Sequence, residues 1–135
     1  MNVILSIKPE YANKILDGSK KFEFRKAGFS SQRVECVLMY ATMPIGKVVG
    51  EFRVSQIHVD KPSAIWKMAK VHAGINKRFF DEYYRDRDVA VAIEVESVRK
   101  YETPIGLSEL GVGITAPQSF RYLPSSPDQQ LALPL

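Results

Sequence analysis

The sequence predicts an α+β fold, in which a curved or closed mixed sheet of about five or six strands carries helices packed on its outside. Apolar runs of strand length recur at 3–7, 34–42 and 88–101, and the last alternates most clearly between two faces. Shorter stretches with helical spacing of apolar residues separate these runs. The run 47–59 alternates imperfectly, which is typical of a strand that bends within a barrel.

The first strand and helix are bounded by proline and glycine. Residues 3–7 end just before Pro9, which suits the first turn of a helix because its missing N–H would have no partner there. The helix predicted over 9–17 is followed by Gly18, which can end it in a left-handed conformation.

The strand after Gly18 alternates between apolar and charged side chains. Phe22 and Phe24 fall on one face, and Lys21, Glu23 and Arg25 fall on the other. By the alternation of the strand, Lys20 falls on the face of the phenylalanines. It reaches the charged face only if the turn at residues 18–19 changes its orientation.

Lys20, Glu23 and Arg25 suit the binding of an anionic or hydrogen-bonding ligand. Arginine is a planar bidentate donor and lysine a mobile charge, while Glu23 can fix the rotamer of Arg25 or accept from an exocyclic amine. The alternative is an ion-pair ladder on a solvated face, which contributes little to stability.

Single residues in the middle of the chain carry further expectations. Residues 34–42 are apolar enough for a central strand, in which Cys36 is expected to be an inert buried thiol. Gly50 marks a bulge or a point of close packing in the strand 47–59. Phe29 either covers an edge of the core, the favoured interpretation, or offers a stacking surface.

Two helices are predicted on either side of a break at 72–76. The first begins near residue 62, and Asn76 can cap the second, over 77–85. The aromatic residues of the second helix have the spacing of a core face, but with basic neighbours they could also stack on single-stranded nucleic acid. These aromatic residues are Phe79, Phe80, Tyr83 and Tyr84, and the basic neighbours are Lys77, Arg78 and Arg85.

One domain is expected over residues 1–123, followed by a flexible tail over 124–135 that contains proline, serine and glutamine. The net charge of +4 permits an anionic partner without specifying one. The 135 residues contain no apolar run near the ~20 residues that span a bilayer, and no secretory signal is evident.

Cysteine and histidine usage excludes several kinds of site. Cys36 is the only cysteine, which rules out an intrachain disulfide and a multi-cysteine zinc site. His58 and His72 stand in no cluster of ligands, so no metal and no cofactor are expected. A cytoplasmic protein, taken to be a monomer, with no membrane partner is the simplest interpretation.

The pattern Gly18-x-Lys20-x-x-Glu23-x-Arg25, placed after a strand and a helix, resembles the G-x-K-x-x-E-x-R signature of the ASCH domain family. This family is related to the PUA RNA-binding fold, and the resemblance covers about residues 2–123. It implies a PUA-like small β-barrel whose cleft holds RNA, a nucleoside or a nucleotide, with DNA also possible. Tyr40, Thr42 and the pair Phe120-Arg121 would be neighbours of the signature residues.

The resemblance leaves two kinds of function open, and the weak charge signal leaves a third, a small partner-binding accessory domain. The first is an RNA- or nucleotide-binding module, with a regulatory role in transcription or translation. The second is a metal-independent hydrolase acting on RNA or a modified nucleoside, with Lys20 and Glu23 as acid–base groups. Some similar proteins resemble amidohydrolases that use a threonine nucleophile at the position of Glu23, and the glutamate here removes that nucleophile.

Overall fold

The computed structural model describes residues 1–29, 33–111 and 115–123, and the predicted tail over 124–135 lies outside them. No helix in this part of the chain is long and apolar enough to cross a membrane. Its strands are β1 (Asn2–Ile7), β2 (Phe22–Arg25), β3 (Cys36–Ala41), β4 (Lys47–Asp60), β5 (Ala90–Ile105) and β6 (Phe120–Tyr122). Its α-helices are α1 (Pro9–Leu16), α2 (Pro62–Ala69) and α3 (Lys77–Tyr83), with 3-10 turns at Lys70–His72 and Leu107–Leu110.

The six strands of the described residues form one mixed sheet with the order β2-β5-β4-β3-β1-β6. β1 and β3 run parallel, whereas the other neighbouring pairs are antiparallel. The sheet curls into a half-barrel with helices packed against it, which confirms the predicted α+β, PUA-like fold. Its two edges are β2 and β6.

The two faces of the central strands bury separate sets of apolar residues, because successive side chains of a strand point to opposite sides. On one face, Leu5 and Met39 pack with Ile15 of α1. On the other face, Ile4 and Leu38 belong to a second cluster. A third cluster joins the phenylalanines of β2 to α2 and α3, so β2 is held between the sheet and these helices.

The predicted helix starts and the glycine end of α1 are confirmed, whereas α3 ends at Tyr83, two residues earlier than predicted. Pro9 occupies the first turn of α1. Gly18 follows that helix with φ +88°, in the left-handed region. Asn76 caps α3, because its side-chain Oδ1 accepts a hydrogen bond from the backbone N–H of Phe79 at 2.8 Å.

Two further expectations are confirmed by contacts. Phe29 packs on the Phe120 ring with centroids 4.9 Å apart, at the edge of the core. Cys36 is buried and donates to the Glu51 carboxylate at 3.2 Å, and burial raises the pKa of its thiol to about 12. A thiol with that pKa stays protonated at neutral pH and is unreactive.

Gly50 is both a bulge and a point of close packing, as predicted. Met39 pairs with Gly50 whereas Tyr40 pairs with Val48, so one residue of β4 is extra at this point. A Cβ atom on Gly50 would lie 2.7 Å from the backbone oxygen of Arg99. The contacted atom belongs to the backbone of a neighbouring strand. Unlike the end of a flexible side chain, it cannot move aside.

We predict that Gly50→Ala destabilises the fold by about 1–3 kcal/mol, because the added methyl group overpacks a bulge on a central strand. Gly28→Ala is the matched control, since the nearest heavy atom to its Cβ would be Val91 Cγ1 at 3.8 Å. Urea unfolding followed by circular dichroism measures both variants. Equal midpoints for the two variants would contradict the close packing at Gly50.

Candidate functional site

A cleft of about 210 Å³ opens beside β2, at the side of the half-barrel where α1 and α3 approach it. It brings together the predicted residues Lys20, Glu23 and Arg25. Its other lining residues are Ser6, Ile7, Lys8, Tyr11, Phe24, Ile75, Phe79 and Tyr83.

Lys20 is the most deeply buried charged residue of the cleft, with 2% of its surface exposed. Its ammonium donates to the backbone oxygen of Ala73 at 2.6 Å and lies 4.7 Å from the Phe24 ring centre and 5.5 Å from that of Tyr11. Lys20 therefore lies beside Phe24, on the face that its position in the sequence predicts. It lines the cleft from that face. Burial lowers the pKa of Lys20 to about 8, although the nearby charge of Glu23 opposes that fall.

The link between α2 and α3 covers the stem of Lys20. Gly74 has φ +71°, and a Cβ there would lie 2.6 Å from Lys20 Cγ. The link is tied down by two hydrogen bonds: the backbone N–H of Lys21 donates to His72 O at 2.8 Å, and Lys14 Nζ donates to Gly74 O at 3.0 Å. The sequence predicted only a helix break at Gly74, so it did not predict that the link covers Lys20.

Glu23 and Arg25 form an ion pair at 2.9 Å, with only 9% and 14% of their side chains exposed. The alternative of an ion-pair ladder on a solvated face therefore does not describe this pair. Arg25 also donates to the backbone oxygen of Ser6 at 2.9 Å and to Ser119 Oγ at 3.1 Å. The guanidinium thus connects the edge strand β2 to β1 and to the residue preceding β6.

The serines that hold Arg25 were not predicted. Ser6 lies in β1, where its backbone oxygen is the acceptor, and no side-chain pattern could reveal that. Ser119 precedes the predicted pair Phe120-Arg121, so only the neighbourhood of this segment was anticipated. The side-chain Nε of Arg25 is buried without a hydrogen-bond partner among the described residues.

The aromatic stripe of α3 is divided between the core and the cleft. Phe80 and Tyr84 are buried, with ring centres 4.8 Å apart, as the core interpretation predicts. Phe79, which is 42% exposed, and the half-buried Tyr83 instead line the cleft. The Phe79 ring also contacts Tyr11 edge-on, with centres 6.1 Å apart.

The remaining predicted site residues do not line the cleft. Tyr40 is buried in the apolar cluster of the opposite sheet face. Thr42 is partly exposed. Its backbone N–H donates at 3.0 Å to the backbone oxygen of Ile7, which is itself a lining residue of the cleft. Arg121 is exposed on β6, opposite Ile4.

The chemistry of the cleft suits a planar ligand with a polar edge. Lys20 supplies donors, Glu23 supplies acceptors, and the exposed faces of Phe79 and Tyr83 supply stacking surface. The described residues contain no group of three or more His, Cys, Asp or Glu side chains placed to hold a metal ion.

Comparisons with known proteins identify relatives of this arrangement. The ASCH domain family model matches residues 5–99. A Zymomonas mobilis protein named ASCH domain-containing ribonuclease is 24% identical over 131 residues, which cover 95% of this chain and 88% of that protein. The ribosomal protein uL22 of Ureaplasma parvum is 31% identical over 121 residues, or 90% of this chain, but the match spans only 39% of that protein.

The fold also matches a solved structure. The crystal structure of ASCH from Zymomonas mobilis superposes with a TM-score of 0.85 at 22% sequence identity, covering 97% of this chain and 92% of that one. At this identity the likeness shows the fold.

We predict that the buried Lys20 makes stability rise with pH above neutrality. Its pKa falls from the ordinary 10.5 to about 8 on folding, so between these values the unfolded chain binds more protons than the folded chain. The free energy of unfolding therefore increases across this window, by on the order of 1–3 kcal/mol, and the effect is constant below it because both states are protonated.

The measurement compares urea unfolding of the wild type with that of Lys20→Met at pH 7 and pH 10. Their difference isolates Lys20 from the other lysines and the tyrosines, which titrate in both proteins. Lys67→Met, at an exposed position of α2, is the control and should run parallel to the wild type. Parallel behaviour of Lys20→Met as well would show that Lys20 has an ordinary pKa.

Proposed function

Because this chain belongs to the ASCH domain family, we propose that its cleft binds an unpaired base of RNA. The observation that carries the proposal is the set of buried charges beside two accessible aromatic rings, Phe79 and Tyr83. Proteins recognise single-stranded RNA in this way, by stacking splayed bases on aromatic side chains and hydrogen-bonding their edges.

The three charged residues have different parts in this proposal. Arg25 already donates to Glu23, Ser6 and Ser119, so it acts mainly as a positioning residue. Glu23 is held by Arg25 and keeps lone pairs for the amino or imino groups of a base. Lys20 uses one donor on Ala73 and has others for a ring nitrogen or carbonyl oxygen of the base.

The cleft volume suits one base. About 210 Å³ is below the roughly 300–1,000 Å³ of sites for drug-sized ligands, so a single planar ring system fills it. A binding module of this kind suits a regulatory role in transcription or translation.

We expect short single-stranded RNA to bind with an affinity that falls as salt is raised, because phosphate contacts release counterions. Phe79→Ala should weaken binding by about 1–3 kcal/mol, since it removes an exposed stacking ring. Glu23→Gln, which keeps the shape of the side chain but removes its charge, should also weaken it. Fluorescence anisotropy with RNA and DNA oligonucleotides at two salt concentrations measures these effects.

The control is Val71→Ala, which truncates an apolar residue that is 77% exposed and lies outside the cleft lining. It should bind like the wild type. Binding that is absent, or equal in Phe79→Ala and Val71→Ala, would contradict the proposal.

A second candidate is metal-independent cleavage of RNA. It is favoured by the name of the Zymomonas mobilis relative, a ribonuclease, and by the pKa of Lys20 near 8. In such a reaction Glu23 takes the proton of a ribose 2′-hydroxyl, whose oxygen attacks the adjacent phosphorus. Lys20 gives a proton to the departing 5′-oxygen, and the products are a 2′,3′-cyclic phosphate and a 5′-hydroxyl.

If this candidate is correct, RNA is cut in the presence of a chelator, and an oligonucleotide with 2′-deoxyribose at every position stays intact. Lys20→Met and Glu23→Gln should each lose about 10²–10⁴-fold in rate, whereas Lys67→Met keeps it. Gel analysis of end-labelled RNA measures the rates. Equal cleavage by Lys20→Met and the wild type, purified in the same way, would contradict catalysis by this cleft.

A further inference from the structure

A lysine lies close to each of the two aromatic rings of α3 that line the cleft. Lys8 Nζ lies 5.9 Å from the Phe79 ring centre, and Lys26 Nζ lies 4.9 Å from that of Tyr83. Phe79 and Tyr83 are four residues apart on α3, so their Cα atoms are about 6 Å apart along the helix axis. The two lysines therefore lie beside different rings of one aromatic surface, Lys8 at Phe79 and Lys26 at Tyr83.

Arg87 adds a third cation near Tyr83. Burial raises the pKa of the Tyr83 hydroxyl, and the charges of Arg25 and Arg87 are among those that oppose this rise. Arg87 lies just beyond the end of α3, next to Tyr83, where its backbone N–H donates to Tyr84 O at 3.0 Å. It is exposed, as are Lys8 and Lys26.

Among the described residues, no carboxylate forms an ion pair, within 4.0 Å, with any of these three cations. By contrast, Lys77 and Arg85 each pair with a carboxylate of α3 itself. Lys8, Lys26 and Arg87 are therefore left for an anionic partner, whereas Lys77 and Arg85 are already paired.

Exposed carboxylates near these cations reduce the positive charge of the mouth. Glu10 is exposed and close enough to Tyr11 to help raise the pKa of its hydroxyl, after burial as the main cause. Glu10 forms no ion pair with Lys8. Asp86 and Asp88, on either side of Arg87 in the chain, are exposed carboxylates as well. The phosphate contact is therefore favoured by the lysines beside the two rings, and not by the net charge of the mouth.

We infer that the ligand is an internal nucleotide of a continuous single strand, whose phosphates contact Lys8 on one side of the bound base and Lys26 and Arg87 on the other. This inference rests on the proposed function and selects a polynucleotide over a free nucleoside or nucleotide. A nucleoside has no phosphate for these cations, and a mononucleotide engages only one of the two groups. The cleft holds one base, so the flanking nucleotides run across its mouth.

The test is a competition experiment monitored by fluorescence anisotropy of a labelled five-nucleotide RNA of mixed sequence. The competitors are the unlabelled pentamer and the four nucleoside 5′-monophosphates. The proteins are the wild type, Lys8→Gln, the double variant Lys26→Gln/Arg87→Gln, and Lys67→Gln as an exposed control with the same change of charge.

The pentamer should compete at least about tenfold better than any monophosphate. Each cleft variant should lower the affinity of the pentamer about 3–10-fold and make its dependence on log salt shallower by about 0.7 for each lost phosphate contact. A monophosphate should be weakened by one of the two variants at most, and Lys67→Gln should match the wild type.

Three results would overturn the inference. Equal competition by the pentamer and the monophosphates would contradict binding of a continuous polynucleotide, but it would be consistent with the proposed binding of a base. An equal loss in Lys67→Gln and Lys8→Gln would show a diffuse charge effect in place of two defined contacts. Absence of binding by any RNA would overturn the proposed function and this inference together.

Discussion

The hydrogen bonds of the Arg25 guanidinium are the constraint on which the rest of the site depends. One side chain on the edge strand β2 donates to a backbone oxygen of β1 and to Ser119, just before β6, while it pairs with Glu23. A planar fork with several fixed donors can make these bonds at once, which a lysine ammonium on a flexible stem cannot. The two edges of the half-barrel are therefore tied together by a residue that also orients the carboxylate of the cleft.

The buried ammonium of Lys20 destabilises the fold, whereas the hydrogen bonds of Arg25 stabilise it. Removing a cation from water is unfavourable, and the single backbone acceptor at Ala73 with two aromatic ring faces offsets this only in part, so its pKa falls. The left-handed Gly74 allows the α2–α3 link to lie directly on the lysine stem. A group that destabilises the fold and points into a cleft is typical of a functional site.

Helix α3 shows why a sequence pattern can be correct and incomplete. The i,i+4 spacing places aromatic residues on neighbouring stripes of one helix, and Phe80 and Tyr84 form the core contact that this spacing predicts. Phe79 and Tyr83 have the same spacing, yet they border the cleft because α1 and β2 approach that side of the helix without closing over it. Only the placement of the helix against its neighbours separates the two pairs.

The sequence by itself determined strands β1–β5, the three α-helices, the helix caps and the bulge at Gly50, because these depend on local backbone preferences and on the alternation of side chains. It also identified Lys20, Glu23 and Arg25 as the charged residues of interest. The tertiary structure alone decided which partners they meet: the oxygens of Ser6 and Ala73, the hydroxyl of Ser119 and the close approach of Gly74. It likewise placed Tyr40 in the opposite core, since contacts between distant segments depend on how the sheet curls, and a pattern within one segment carries no information about that curl.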